Sequence, residues 1–402
     1  MDFELTKEHK QIESAARDFA KKEIYPTIKE RDEKGIYDKS LLKKMGENGF
    51  LGICIPEKYG GMGFDYISLG LVCLEFEKAD STARVVLSVH NGLNSMTLLQ
   101  WGTEEQKKKY LTPQAKGEKI AAFGLTEPNA GSDVSGIQAT AVLKGDHYIL
   151  NGEKTWISLA DLADNFLVFA YTDKTKKHKG ISAFIVERTF PGFSSSPLKG
   201  KLGVRAGNTG SFVMQDVKVP KENLIGKEGD GFKVAMSAID SGRFTVAAGA
   251  VGIIEACLDM SVKYAHEREA FGKEIGKHQL VQQMIAKMVV GRDTGRLLMY
   301  QSGWLKNKGI RNTRETSMAK WINCNNAFES ANDAIQILGA YGYSNEFDAE
   351  RHFRNSRGAM IYEGTREIHT ILQAEYALGY REDKPLSKML PPWPFKELAV
   401  KI

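Results

Sequence analysis

Long apolar runs, clustered cysteines and a charge excess of one sign are all missing from this chain. Its four cysteines, Cys54, Cys73, Cys257 and Cys324, are scattered among 402 residues. They fit neither a metal spacing nor a small disulfide framework and read as reduced, buried thiols. The formal net charge is only +5, which gives no footing for a nucleic-acid surface. The one dense basic run, Lys174, Lys176, Lys177 and Lys179, lies between strand-like segments and is expected to be a solvated hairpin tip. No apolar run reaches membrane-spanning length, and the N-terminus opens on an amphipathic pattern without a signal segment. The expectation is a cytoplasmic enzyme or binding protein. Nucleotide and hydrolase signatures are absent too. There is no G-x-G-x-x-G, and Gly272 to His278 falls one residue short of a P-loop. No H-E-x-x-H or paired cysteine spacing supports a metal, and no G-x-S-x-G elbow supports a serine hydrolase.

What is present is an ordinary globular composition, 42% hydrophobic and 26% charged, in three textures. Residues 1–120 read as helices. Phe3 and Leu5 lead into a stripe at Ile12, Ala15, Ala16, Phe19 and Ala20, and a mostly apolar helix is expected from Ala83 to Trp101. Residues 121–228 change to short β-prone runs between turn signals: Ala139–Leu143, His147–Leu150 before a turn at Asn151-Gly152, Asn165–Tyr171, Gly180–Glu187 and Ser211–Val219. That spacing suggests a β-sandwich or barrel. Residues 229–380 return to helices at Phe244–Glu267, Gln279–Lys306, Thr313–Leu338 and Thr365–Leu378, a pattern suited to a four-helix bundle. Residues 381–402 hold Pro385, Pro391, Pro392 and Pro394 and read as an extended tail. The fold class is thus mostly α with a central β domain.

The stretch Ala359-Met360-Ile361-Tyr362-Glu363-Gly364-Thr365-Arg366-Glu367-Ile368 has the look of a site. Thr365 is a suitable N-cap for the last helix, with Glu367 in its first turn. Glu363 then sits just outside that helix, after an apolar run and before a glycine. A carboxyl projecting from such a loop into an apolar pocket has its pKa raised toward that of a working base.

Four separated segments read together with it. They are Phe123-Gly124-Leu125-Thr126-Glu127-Pro128-Asn129-Ala130-Gly131-Ser132-Asp133, Gly152-Glu153-Lys154-Thr155-Trp156-Ile157-Ser158, Arg268-Glu269-Ala270-Phe271-Gly272 with Gln279, and Tyr362-Glu363-Gly364-Thr365. In this order the chain resembles the acyl-CoA dehydrogenase family from end to end. The resemblance implies an N-terminal helical domain, a middle β domain and a C-terminal four-helix bundle, FAD as cofactor, a homotetramer, and electron-transferring flavoprotein as acceptor. It makes Glu363 the base that removes the α-proton of an acyl-CoA thioester while the β-hydrogen leaves as hydride to the flavin. It places Phe123, Leu125, Thr126, Ser132, Trp156, Ser158, Thr365 and Glu367 at the flavin. Arg268, Phe271, Gln279, Gln336 and Gly339 would reach the adenosine diphosphate of a flavin in a neighbouring subunit. Ala340 departs from the glycine common in relatives. Ser132, Asp240, Arg243, Tyr362 and Gly364 would meet the acyl-CoA.

Arg84 opens an otherwise apolar helix where straight-chain relatives carry a small or apolar residue. With Glu77 and Ser88 it resembles the glutaryl-CoA dehydrogenases, in which such an arginine would meet a distal substrate carboxylate. Glutaryl-CoA, with or without decarboxylation to crotonyl-CoA, is then the expected substrate, and benzylsuccinyl-CoA the next. The other reading has Arg84 merely bridged to Glu77, in a general short- or medium-chain or cyclic acyl-CoA dehydrogenase. A flavin oxidase or a non-catalytic acyl-CoA-binding protein on the same fold remain rivals from other classes.

Overall fold

The computed structural model describes residues 4–395; Phe3 and the last seven positions of the expected tail lie outside them. Helix α1 (Lys7–Phe19) starts at a capping box, Thr6 accepting from the His9 N–H at 3.1 Å, and buries Ala16 and Phe19. After α2 (Tyr25–Lys34) and α3 (Lys39–Glu47), helix α4 (Tyr66–Ala79) is apolar almost all round and accordingly lies in the core. Asp80 caps α5 (Ser81–Val86). The single helix expected from Ala83 to Trp101 is interrupted instead. Residues Leu87–Ser95 widen into π-helix before α6 (Met96–Trp101), a distortion that often marks a functional site. Short turns α7 (Glu104–Gln106) and α8 (Thr112–Ala115) close this part.

The middle part is the expected β domain, its eight strands joined in one hydrogen-bonded sheet. Strands β2 (Thr140–Lys144), β3 (His147–Ser158), β4 (Asn165–Tyr171), β5 (Ile181–Glu187), β6 (Phe193–Pro197), β7 (Thr209–Pro220) and β8 (Leu224–Ile225) take the order β6-β7-β3-β2-β4-β5-β8. Strand β1 (Ala121–Gly124) lies parallel to β4. The turn expected at Asn151-Gly152 is strand: β3 runs on to Ser158, and slips of register against β7 at Leu150/Gly152 and Lys154/Ile157 absorb the irregularity as bulges. The lysine run forms the exposed turn between the antiparallel β4 and β5.

Helix α9 starts at Gly231, thirteen residues before the expected Phe244, and runs to Glu267. By length and composition it could cross a membrane, contrary to the expectation drawn from the sequence, yet 78% of its most apolar window is buried inside the protein. Against it pack α10 (Gln279–Asn307), α11 (Thr313–Leu338) and an unforeseen α12 (Ala349–Ala359), while α13 (Arg366–Ala377) packs on α11. The chain after Arg381 has no regular element up to Phe395. It is nonetheless bound down: the Trp393 N–H donates to the Asn307 carbonyl at 2.7 Å, and the Lys388 ammonium donates to the Trp101 carbonyl at 3.0 Å. All four cysteines are free and buried.

Trp101 joins the first part to α9. It is 1% exposed, and its indole N–H donates to Ser237 Oγ at 2.9 Å. Trp101→Ala removes both the packing and the hydrogen bond. Denaturant unfolding should show a loss of about 3–5 kcal/mol.

Candidate active site

Glu363 occupies the loop between α12 and α13. Thr365 caps α13, its hydroxyl accepting from the Ile368 N–H at 3.3 Å, so the residues before it leave the helical path. Glu363 has φ +56° and Gly364 φ +103°. The left-handed region is costly for a glutamate and persists only where the surroundings impose it. Two cations do so here. Arg243 Nε donates to the Glu363 carbonyl at 3.0 Å, and Lys320 Nζ donates to the Gly364 carbonyl at 2.7 Å. Thus oriented, the carboxyl packs on the backbone of α9 at Gly242, where a built Cβ would lie 2.0 Å from Glu363 Oε2. That oxygen is buried and has no hydrogen-bond partner. Loss of hydration pushes the carboxyl up to about 7, against the pull of Arg84, Lys320 and Arg243. The Glu363 N–H donates to no backbone carbonyl among the described residues. The loop therefore offers a proton acceptor and a free N–H side by side. That pair is what abstraction of a proton α to a carbonyl requires.

Glu77, Arg84, Ser88 and Tyr362 come together beside the loop, Tyr362 being the residue before Glu363. The guanidinium of Arg84, 1% exposed, donates from Nε to Glu77, from Nη1 to Ser88 Oγ at 3.1 Å and from Nη2 to the Tyr362 hydroxyl. Thr245 Oγ1 on α9 lies 2.7 Å from Ser88 Oγ and extends the network. Asp240 and Arg243 are both engaged within the protein. They pair at 3.5 Å, and Asp240 accepts from Thr313 at 2.6 Å.

The flavin-side residues fall into two groups. Phe123 lies in β1 and Leu125 and Thr126 follow it, while Trp156 and Ser158 lie in the last residues of β3. A buried ion pair ties the two edges: Lys154 Nζ reaches Glu127 at 2.6 Å and the Leu125 carbonyl at 3.1 Å. Trp156 stands on the β3 bulge with φ +59° and is 59% exposed, a large apolar face that a bound ring would cover. Ser132 is exposed nearby in sequence. In the second group, Arg268 and Gly339 line one recess of about 250 Å³ with Tyr264, Ile275, Ile337 and Tyr341. Gly339 has φ +61° and open space where a Cβ would stand, so a ligand can approach its backbone. Phe271 is 95% exposed, and Gln279 and Gln336 are exposed as well. Glu367 points outward and pairs with Arg366 at 2.6 Å. Arg268 stands about 37 Å from Arg243 along α9 at 1.5 Å per residue, well away from the loop of Glu363.

The sequence reading passed over Lys320, His369, Ser317 and Gly242. His369 is fully buried beneath the loop, with Nδ1 2.8 Å from Ser317 Oγ and Nε2 without a partner. The one signal for Lys320 was a charged residue on the otherwise small, buried stripe of α11 at Ala319, Asn323, Cys324 and Ala327.

Comparison with known proteins bears directly on this arrangement. Models of the acyl-CoA dehydrogenase N-terminal, middle and C-terminal domains match residues 6–118, 122–217 and 229–378. A short-chain-specific acyl-CoA dehydrogenase of Clostridium acetobutylicum is 43% identical over 92% of this chain and 98% of its own. A glutaryl-CoA dehydrogenase of Desulfococcus multivorans is 41% identical over 95% of this chain and 99% of its own. A structure solved in work on the electron transferring flavoprotein of Acidaminococcus fermentans has a TM-score of 0.93 at 46% identity, covering 94% of this chain and all of that one. The chain belongs to the acyl-CoA dehydrogenase family, oxidoreductases that depend on FAD. The residues fit that cofactor: an exposed Trp156 and the hydroxyls of Thr126 and Ser158 suit the ring system, and Arg268 beside Gly339 suits a phosphate.

Glu363 must be ionised to accept a proton. As pH falls through about 7 the carboxyl protonates, and kcat/KM should drop about tenfold per further pH unit. Glu363→Gln should lower kcat by about 10²–10⁴-fold with flavin absorbance retained, as read by steady-state assay across pH. Gly242→Ala places its methyl on the carboxyl of a mobile-ended side chain. The fold should survive, while displacement of the base lowers kcat by about 10²-fold in the same assay.

Proposed function

We propose that this acyl-CoA dehydrogenase acts on a thioester whose acyl chain ends in a carboxylate, with glutaryl-CoA first and benzylsuccinyl-CoA second. The observation that carries the reading is the buried guanidinium of Arg84 beside the loop of the base, bound to Tyr362 next to Glu363. It uses three of its five N–H groups on Glu77, Ser88 and Tyr362. Two remain to bind a substrate oxygen, with the hydroxyls of Ser88 and Tyr362 beside them. A charge held this far from water meets a matching charge strongly and rejects an apolar end group that leaves donors unpaired.

In the reaction, the thioester oxygen binds at the Glu363 N–H, and the carboxylate of Glu363 takes the α-proton. The apolar wall of Leu93 beside Gly242 keeps water from the carboxyl. Bound FAD supplies the acceptor for the β-hydrogen as hydride. Arg84 fixes the far end of the chain and so sets which carbons face the base. The electrons then pass to an electron-transferring flavoprotein, a partner supported by the likeness to the Acidaminococcus structure. The reading includes a homotetramer, in which Arg268, Phe271, Gln279, Gln336 and Gly339, remote along α9 from the loop of Glu363, serve a neighbour's flavin. Four buried free thiols suit the reducing cytoplasm.

One observation favours a neutral short chain instead. Glu77 already neutralises Arg84, so the cluster can stand without a substrate anion. Anaerobic mixing with glutaryl-CoA, benzylsuccinyl-CoA and butyryl-CoA separates the two readings. Bleaching of the flavin by a carboxylated thioester and not by butyryl-CoA is expected, and mass analysis for CO₂ loss assigns the glutaryl subtype. Bleaching by butyryl-CoA alone would overturn the proposal. In the double variant Glu77→Gln/Arg84→Met, which strands no charge, kcat/KM for glutaryl-CoA should fall by about 10²-fold or more while that for butyryl-CoA does not fall.

A further inference from the structure

The cations around Glu363 are not equivalent. Arg84 has Glu77 as its counter-ion and Arg243 has Asp240. Lys320 is 1% exposed and forms no ion pair with a carboxylate among the described residues. Its one hydrogen-bond acceptor is the Gly364 carbonyl at 2.7 Å. A buried ammonium with a single neutral acceptor costs stability and persists where something else depends on it. Here the dependent element is the loop. The Gly364 carbonyl belongs to the peptide that follows the two left-handed residues. Pinning it, while Arg243 pins the carbonyl before it, holds the chain in the only path that lays the Glu363 carboxyl on Gly242.

We propose that Lys320 is a positioning residue for the base: it clamps the Gly364 carbonyl, and its unneutralised charge acts on the Glu363 carboxylate. This rests on the reading of Glu363 as the base. Arg84 from α5 acts on the carboxyl more strongly than Lys320, and Arg243 from α9 less strongly, but both carry their own counter-ions in Glu77 and Asp240. Burial lowers the pKa of Lys320, and Glu363 is among the groups that raise it again. His369 from α13 is neutral, its pKa pushed down to about 2 by burial and by Lys320 and Arg243. Tyr362 and the thiols of Cys73 and Cys324 are held protonated by burial. Removal of the ammonium leaves Glu363 harder to ionise, so the base is protonated over more of the neutral range.

The test uses the full flavin-loaded enzyme and whichever acyl-CoA bleaches it, with Lys320→Met, Lys320→Gln and Glu363→Gln compared from pH 5.5 to 9. Lys320→Met should lower kcat by about 10²-fold with little change in KM. Its acidic limb should move up by about one pH unit. Lys320→Gln keeps a donor without the charge, so it should recover part of kcat and keep the shifted limb. Because a buried charge is removed, the Tm of either variant should stay level or rise; a purely structural lysine predicts a fall in Tm with the limb unmoved, which would overturn the proposal. Should Lys320→Met not fold, Lys320→Gln decides by the position of its limb alone. Glu363→Gln separates the two levels. If that variant is active, the base itself is misassigned. If it is dead while both Lys320 variants keep the wild-type limb, only the role of Lys320 fails.

Discussion

The structure turns on a half-buried glutamate, Glu363, whose carboxyl oxygen Oε2 is enclosed without a hydrogen-bond partner. A glutamate in that state works against folding twice, through lost hydration and through its left-handed backbone. Both costs are met locally. Arg243 and Lys320 hold the two successive carbonyls, and Thr365 starts α13 at once so that the loop cannot relax into a longer turn. The carboxyl is left poised between two pulls, burial toward the neutral form and nearby cations toward the charged one. A base near neutrality is what that balance produces.

Close approach of helices makes the rest of the cavity. At Gly252 a Cβ would stand 2.2 Å from the Leu74 carbonyl, and at Gly249 it would stand 2.7 Å from Glu77 Oε2. These two positions let α4 press directly on α9, so that Glu77 reaches under Arg84 at the start of α5. The π-helical widening at Leu87–Ser95 then turns Ser88 toward Thr245 on the same face of α9. One helix, α9, thus carries the wall for the carboxyl, the clamp on its backbone and the floor of the Arg84 cluster. Its nearly all-round apolarity follows from being enclosed on every side, which is also why it mimics a membrane span.

Much of this was legible in the sequence where local chemistry decides structure. The bounds of α11, the cap at Thr365 and the loop position of Glu363 just outside the last helix follow from periodicity and capping. Arg84 was conspicuous as a charge in an apolar helix. What could not be read depends on contacts between distant segments. The left-handed φ of Glu363 is imposed by Arg243 and Lys320 from two other helices. Strand β3 passes through an Asn-Gly pair that locally favours a turn because β2 and β7 flank it on both sides. Helix α12 escaped notice because its buried face is built from Arg351, His352, Asn355 and Ser356 beside two alanines, a polar interior that hydrophobic periodicity does not detect.

The same distinction explains how one fold can serve different acyl chains. The loop, its clamps and Gly242 concern only the carbon next to the thioester and are indifferent to what lies beyond. On the function proposed above, discrimination falls to the other end, where Arg84 is enclosed by Glu77, Ser88 and Tyr362. Tyr362 belongs to both regions: it precedes the base in sequence and accepts from Arg84 in space. The guanidinium also lies 5.5 Å from the centre of its ring, within the range of a cation–π contact. A change in how Arg84 is occupied therefore bears on the residue adjoining the base. The Arg84 cluster and the loop of Glu363 are thus linked through one side chain.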